Sequence, residues 1–380
     1  MKKSITVMGS TGSVGTSTVD LLMRSPELFD VEALTANKNV DLLAQQAIEL
    51  NAKMAVVADK KAYNDLKNAL SGKNIEVAAG EEALLEAAAR PADQVMAAIV
   101  GFAGLAPTLT AIKRGATILL ANKEALVCAG DLMVEEVRKN NATLLPVDSE
   151  HNAIFQVFDF ENKSGIDHIT LTASGGPFRC FSKQEMKTVT PQQALAHPNW
   201  DMGAKISIDS ATMMNKGLEL IEAAYLFGLS EQQIKVLIHP QSIIHSTVSY
   251  IDGSVLAQLG DPDMRTPIAC ALAWPERMKT PVKQLDLAEI SKLTFETPDH
   301  DKFPALEIAR EALRNHKTIV FNAANEIAVE AFLQKRMSFL GISELVAKAV
   351  CTFEKIDINS LETVKMVDAE VRNWSRVQIN

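Results

Sequence analysis

Six short apolar runs, at 5–8, 31–36, 54–58, 95–100, 117–121 and 143–147, alternate with amphipathic stretches of helical spacing over the first part of the chain. Strands that are apolar on both faces must be covered on both sides, and helices between them supply that cover, so the pattern predicts a parallel sheet. The fold class expected is α/β, with a doubly wound, Rossmann-like domain over 1–147. From 148 to 276 the pattern changes. Strand-like runs at 169–173, 236–239, 246–250 and 255–259 accompany loops rich in Gly, His, Asn, Ser and Lys, which predicts a central α+β domain whose polar loops carry a site. Pro281 and Pro298 punctuate a stretch of little periodicity, read as a linker over 277–300. Beyond it, Leu306, Ala309 and Leu313 recur at helical spacing, as do the apolar positions of 320–333 and 342–356, so 301–380 is read as a helical C-terminal domain. No internal repeat is present.

A chain of 380 residues exceeds a common single core, in agreement with that division. Its 38 basic and 47 acidic residues give a net charge of -9, which repels polyphosphate and anionic lipid and excludes nucleic acid as the main partner. The most apolar stretch, 95–112, is broken by Gly101, Gly104 and Pro107, and no membrane span is read from it. Lys2 and Lys3 precede too short an apolar run for a signal peptide. Cys128, Cys180, Cys270 and Cys351 lie far apart, without metal-motif spacing, and read as reduced thiols of a cytoplasmic protein.

Gly9-Ser10-Thr11-Gly12-Ser13-Val14-Gly15 follows the first strand and opens a helical stretch. Glycines there allow a tight turn and close backbone approach to a pyrophosphate at a helix start, so a dinucleotide is the expected ligand; the bland reading is an ordinary strand-to-helix turn. An NAD site places an acid at the end of the second strand, whereas this strand ends Thr35-Ala36-Asn37-Lys38-Asn39, which favours NADP. Glu32 lies inside the strand and is read as a decoy. Lys38 suits a 2′-phosphate, or is a solvated turn lysine.

Asp148-Ser149-Glu150-His151 follows the run at 143–147, at the carboxyl edge where doubly wound sheets hold ligands. Carboxylates two apart on extended backbone project to one side and suit a hard divalent cation; alternatively they form a solvated strand end. Ser207 to Glu219 runs into a helix on which Asn215 and Glu219, four apart, share a face. Glu219 could complete a metal shell while Ser210, Asn215 and Lys216 hold a phosphate, the alternative being a capped amphipathic helix. Lys123, in Asn122-Lys123-Glu124 just past the run at 117–121, reaches a substrate hydroxyl or the nicotinamide region, or is a surface lysine. Between the clusters, Ser174-Gly175-Gly176-Pro177-Phe178 and His197-Pro198-Asn199-Trp200-Asp201-Met202-Gly203 bound a segment, about 175–203, read as a lid over the substrate. A half-buried packing role for Trp200 is the rival view.

These strings, with Ala121 to Glu124, Pro146 to Phe155, Met213 to Glu219, His239-Pro240-Gln241-Ser242 and Asn322 to Glu326, closely resemble one family over essentially the whole chain: the 1-deoxy-D-xylulose 5-phosphate reductoisomerases. The resemblance implies NADPH- and metal-dependent isomerisation and reduction of that sugar phosphate to 2-C-methyl-D-erythritol 4-phosphate, for isoprenoid precursors. It implies Asp148, Glu150 and Glu219 as ligands of Mg²⁺ or Mn²⁺, acting with Lys123 as the catalytic group. It further implies Lys123 and Ser149 on the substrate's oxygenated backbone, Ser174, Ser210, Asn215 and Lys216 on its phosphate, His197 closing over it and Trp200 covering the carbon chain. Thr11, Gly12, Ser13, Val14, Ala36, Lys38, Asn39, Asn122, Glu124 and Gly203 are implied as cofactor positions, and a homodimer as the assembly. Two residues depart from the family pattern. Asn37 stands where glycine is common, and asparagine tolerates a left-handed turn there. Phe102 is bulkier than the small residue expected near the nicotinamide side.

Overall fold

The computed structural model describes residues 2–196 and 203–379. Its chain divides into two compact units. The first comprises Met1–Ala125, Met133–Asn152 and Asp263–Val282, and the second Leu126–Leu132, Ala153–Pro262 and Lys283–Asn380.

In the first unit the expected strands form as β1 (Lys3–Met8), β2 (Phe29–Ala36), β3 (Met54–Val57), β5 (Gln94–Ala97), β6 (Thr117–Leu120) and β7 (Thr143–Pro146), joined by β4 (Glu76–Ala79). They make one seven-stranded sheet of order β4-β3-β2-β1-β5-β6-β7, parallel throughout. The order reverses between β1 and β5, so the crevice beyond the carboxyl ends of those two strands is the place a doubly wound sheet offers a ligand. The run expected as 95–100 leaves the sheet after Ala97, and Val100 is 68% exposed in the loop that follows. Glu32, near the middle of β2, is buried and bonded by Lys53 (2.5 Å) and Arg90 (2.8 Å). Burial opposes its ionisation, but the two cations prevail and hold its carboxyl below the usual range. Its acidity is thus spent inside the sheet, in line with its reading as a decoy.

The segment 263–282 also belongs to this unit. Its helix Arg265–Ala273 ends in carbonyls with no partner inside the helix, and Lys3 Nζ donates to those of Leu272 (3.0 Å), Ala273 (3.2 Å) and Trp274 (3.0 Å). Gln94 Nε2 adds a bond to Leu272 O at 3.1 Å.

The second unit is built on a four-stranded mixed sheet of β8 (Ile166–Ala173), β9 (Ile234–Ile238), β10 (Ile244–Tyr250) and β11 (Val255–Leu259), in the order β11-β10-β8-β9. Ile169, Leu171, Ile234 and Val248 of the sheet share a buried cluster with Leu220, Ala223 and Phe227 of the helix Met214–Phe227, which is how that helix is fixed. Four helices follow, Ala305–Arg314, Thr318–Leu333, Phe339–Thr352 and Leu361–Ile379. The stretch before them holds one short helix, Leu287–Ile290, and is tied to the sheet by a bridge between Ile238 and Glu296 and by the His239 ring stacked 4.8 Å from Phe295.

Candidate functional site

The glycine loop has the local features of an anion cradle. Gly12 caps the helix Ser13–Arg24 without any side-chain bond to the first-turn amides, so the helix start keeps donors for an external partner. Gly15 sits so close to the turn that a Cβ there would lie 2.1 Å from Gly9 O. Gly9 N donates to Thr35 Oγ1 at 2.9 Å and Ser10 N to Thr35 O at 2.8 Å, which couples the loop to the end of β2. Beyond that end, Lys38 is exposed and Asn39 caps the next helix by accepting from Leu42 N at 3.3 Å. Asn37 is absent from the left-handed residues, so the turn forms with ordinary backbone and does not call on asparagine's tolerance of left-handed geometry.

Asn122 organises the neighbouring loop. Its amide nitrogen donates to Ile99 O and, at 3.0 Å, to Gly101 O, while its oxygen accepts from Ala125 N at 3.0 Å at the start of the helix Lys123–Lys139. Gly104 makes room for this, since a Cβ there would meet Asn122 Nδ2 at 1.9 Å. The side chain is therefore occupied by the protein, a role that its place in the string after β6 did not reveal. Phe102 opens the short turn Phe102–Gly104 and is partly exposed.

Lys123, 5% exposed, is no surface lysine: its Nζ lies 2.5 Å from Asp148 Oδ2. The premise of extended backbone at Asp148 and Glu150 is corrected. Ser149–Val157 is a helix, Asp148 Oδ1 accepts from Glu150 N at 3.2 Å, and Asp148 O accepts from Asn152 N at 2.8 Å. Asp148 therefore caps the helix and Glu150 lies in its first turn, where the helix dipole favours negative charge. Ser149 Oγ donates to Glu150 Oε2 at 2.6 Å. His151, fully buried, brings Nδ1 within 3.3 Å of Asp148 Oδ1; the sequence reading gave it no role.

In the second unit, Glu219 is 1% exposed in the helix Met214–Phe227, and both Asn215 and Lys216 of its first turn bond its carboxylate. Met213, at φ +64°, joins this helix to the preceding one, Ala204–Ala211, which carries Ser210 in its last turn. Ser174 Oγ accepts from Gly176 N at 3.3 Å, and Gly176, at φ +68°, packs so tightly that a Cβ would lie 2.9 Å from Ser210 O. Ser174, through Gly176, is thus placed beside the backbone of Ser210, and Asn215 and Lys216 follow in the first turn of the next helix. Within the segment read as a lid, two short helices, Lys183–Met186 and Pro191–Leu195, each begin with a capping box. Gly203 caps Ala204–Ala211 at its start, while His197 and Trp200 lie outside the described residues.

Family models agree with this layout. One described as 1-deoxy-D-xylulose 5-phosphate reductoisomerase matches residues 5–130, and models of C-terminal domains of the same enzyme match 144–227 and 259–374. The reductoisomerase of Rhodospirillum centenum is 56% identical over 375 residues, 98% of this chain and 93% of that one. The chain belongs to the 1-deoxy-D-xylulose 5-phosphate reductoisomerase family. The reductoisomerase of Zymomonas mobilis solved with NADPH is 52% identical, covers 100% of this chain and 99% of its own, and superposes with a TM-score of 0.94. A reductoisomerase solved with NADPH, fosmidomycin and magnesium is 44% identical with a TM-score of 0.95, over 99% of this chain and 98% of its own. Reductoisomerase membership confirms the α/β class with its Rossmann-like sheet and accounts for the eight quoted strings together.

Proposed function

We propose that the protein converts 1-deoxy-D-xylulose 5-phosphate to 2-C-methyl-D-erythritol 4-phosphate, with NADPH and a divalent ion, Mg²⁺ or Mn²⁺. The observation that carries this reading is family membership over nearly the whole chain at 56% identity. The residues fit both groups. Uncapped amides after Gly12 suit the cofactor pyrophosphate, and Lys38, exposed at the end of β2, suits a 2′-phosphate. Asp148, Glu150 and Glu219 are an all-oxygen donor set for a hard cation, and lysines already balance two of them, Lys123 on Asp148 and Lys216 on Glu219.

When bound, the ion polarises the ketone and adjacent hydroxyl as the carbon skeleton rearranges, and NADPH supplies the hydride that reduces the resulting aldehyde. Lys123 and Ser149 hold the substrate's oxygens in register for the rearrangement. Ser174, Ser210, Asn215 and Lys216 grip the phosphate, whose remote binding energy aligns the reacting carbons. His197 and Trp200 close over the bound substrate and exclude water. Thr11, Gly12, Ser13, Val14, Ala36, Asn39, Glu124 and Gly203 line the cofactor, and Asn122 sets the loop beside it. In functional terms 1–147 is the NADPH domain, 148–276 the catalytic and dimerising domain with its lid at about 175–203, 277–300 the linker and 301–380 the helical domain.

The assembly is a homodimer. Ile251, Val255 and Leu256, exposed by 73%, 58% and 49% at the β10–β11 turn and the edge strand, give it an apolar surface to bury. The compartment is the cytoplasm, a reading supported by four cysteines outside any disulfide. No described helix is long and apolar enough to cross a membrane.

The deciding experiment follows NADPH absorbance with 1-deoxy-D-xylulose 5-phosphate, with and without a chelator. Oxidation that stops on chelation and returns with Mg²⁺ is expected; oxidation indifferent to chelator would mark a simple dehydrogenase, and none with this substrate would end the reading. A Lys38→Ala variant is expected to raise the KM for NADPH about fivefold to tenfold, the loss of one charge-assisted bond, with NADH use little changed. Equal effects on both cofactors would remove Lys38 from the 2′-phosphate.

A further inference from the structure

Asp209 is a carboxylate that the proposed chemistry does not use, yet it is 1% exposed, one residue before Ser210 on the helix Ala204–Ala211. A buried carboxylate stays ionised only when paired and hydrogen-bonded. Lys205, one turn earlier, brings Nζ to 2.8 Å from Oδ2, and Asn325 of the helix Thr318–Leu333 donates from Nδ2 to Oδ1 at 2.8 Å. Asn325 is fully buried, and its own Oδ1 has no hydrogen-bond partner among the described residues. Turning the amide over would set oxygen against carboxylate and leave the NH₂ group unpaired, so Asp209 dictates its orientation. An apolar side chain at 325 would fill the space without an orphaned acceptor. The amide earns its place through that one bond.

The consequence lies in the next turn. Asp209 O and Ile208 O both accept from Thr212 Oγ1, at 3.2 and 2.9 Å, and Ser210 O accepts from Met213 N at 3.2 Å, where the backbone turns left-handed. Met214 N then donates to Thr212 Oγ1 at 3.4 Å as the helix bearing Asn215, Lys216 and Glu219 begins. A left-handed methionine persists only where its surroundings over-determine it. Asp209 is held through its side chain by Asn325 and through its carbonyl by Thr212, so it fixes where one helix ends and the next starts.

We propose that Asp209 and Asn325 are positioning residues for the substrate's phosphoryl group, locking the turn that sets Ser210 against Asn215 and Lys216. This rests on the reading of those residues as the phosphate site. The test compares Asn325→Asp, Asn325→Ser and the exchange Asp209→Asn with Asn325→Asp, using Ser210→Ala as a reference for the site itself. The readouts are KM for 1-deoxy-D-xylulose 5-phosphate, the inhibition constant of inorganic phosphate, and NADPH affinity. Asn325→Asp, which opposes two carboxylates, is expected to raise the first two about tenfold or more with NADPH affinity unchanged, and the exchange to restore both to within about threefold of wild type. Asn325→Ser, free of the added charge, is expected to raise both about fivefold, and serves should Asn325→Asp not fold. Raised values in Ser210→Ala but wild-type values in Asn325→Ser overturn the proposal and leave the phosphate site standing. Wild-type values in Ser210→Ala overturn the phosphate site and the proposal with it. A fall in NADPH affinity parallel to that for phosphate, unrepaired by the exchange, makes the pair ordinary packing and also overturns the proposal.

Discussion

Glutamine at position 219 is expected to lower kcat about 10²- to 10³-fold and to raise the Mg²⁺ concentration needed for half-maximal rate, while NADPH binds as in the wild type. The substitution keeps the side chain's length and its place between Asn215 and Lys216, which both bond the carboxylate. It removes the charge. With Glu219 at 1% exposure, water cannot replace that charge, so the buried Lys216 loses the carboxylate charge it bonds and a bound dication loses an anionic ligand. The loop proposed for NADPH, Gly9 to Gly15, lies in the first unit, so NADPH affinity, read by fluorescence titration, tests that the protein remains folded. A Mg²⁺ titration indistinguishable from wild type would remove Glu219 from the metal shell, whatever the fate of the phosphate site. A rise in substrate KM alone would instead assign it only to the support of Lys216.

What the sequence revealed, and what it hid, follows from the range of the forces involved. The glycine loop was legible because its cause is local: strand, tight turn and helix are adjacent in the chain, and Gly9, Gly12 and Gly15 mark the turn directly. The place of Glu32 inside β2, before the strand's end, was legible from strand position alone, although its partners Lys53 and Arg90 were invisible. β4, at the sheet edge, escaped because Glu76-Val77-Ala78-Ala79 is short and its apolar side chains are small, with Glu76 exposed and the other three only partly buried. Asp148 and Glu150 were found at the right edge of the sheet but on the wrong backbone. The Asp148 side chain folds back onto Glu150 N and starts a helix, a choice between capping and extension that alternation of residue types does not decide. The attachment of 263–282 to the first unit depends on Lys3 and Gln94 reaching carbonyls some 180 to 270 positions away, and main-chain carbonyls have no sequence signature. Asn325 was hidden by distance alone, since the carboxylate it bonds, that of Asp209, lies 116 positions off.

Alanine at position 15 is expected to abolish measurable NADPH binding and to destabilise the first unit by about 2–3 kcal/mol, the cost of forcing atoms into a closed space. Its Cβ would lie 2.1 Å from Gly9 O and 2.6 Å from Ser10 C and Cα, all backbone atoms that cannot swing aside as a side-chain end would. The loop must therefore move away from the helix, and it is coupled to β2 through Thr35, so the displacement reaches the end of β2 as well. Gly12→Ala separates this structural demand from the demand of the ligand. Gly12 has φ -81°, which alanine adopts freely, and its Cβ would meet only Gly9 O at an ordinary 3.6 Å. The unfolding temperature of Gly12→Ala is then expected to match the wild type, while a methyl group over the open helix start keeps the pyrophosphate off the amides and weakens NADPH about tenfold or more. Thermal unfolding and NADPH titration of the two variants read these effects apart. Wild-type stability in Gly15→Ala would mean the loop has slack, and wild-type NADPH affinity in Gly12→Ala would place the pyrophosphate elsewhere than at the start of the helix Ser13–Arg24.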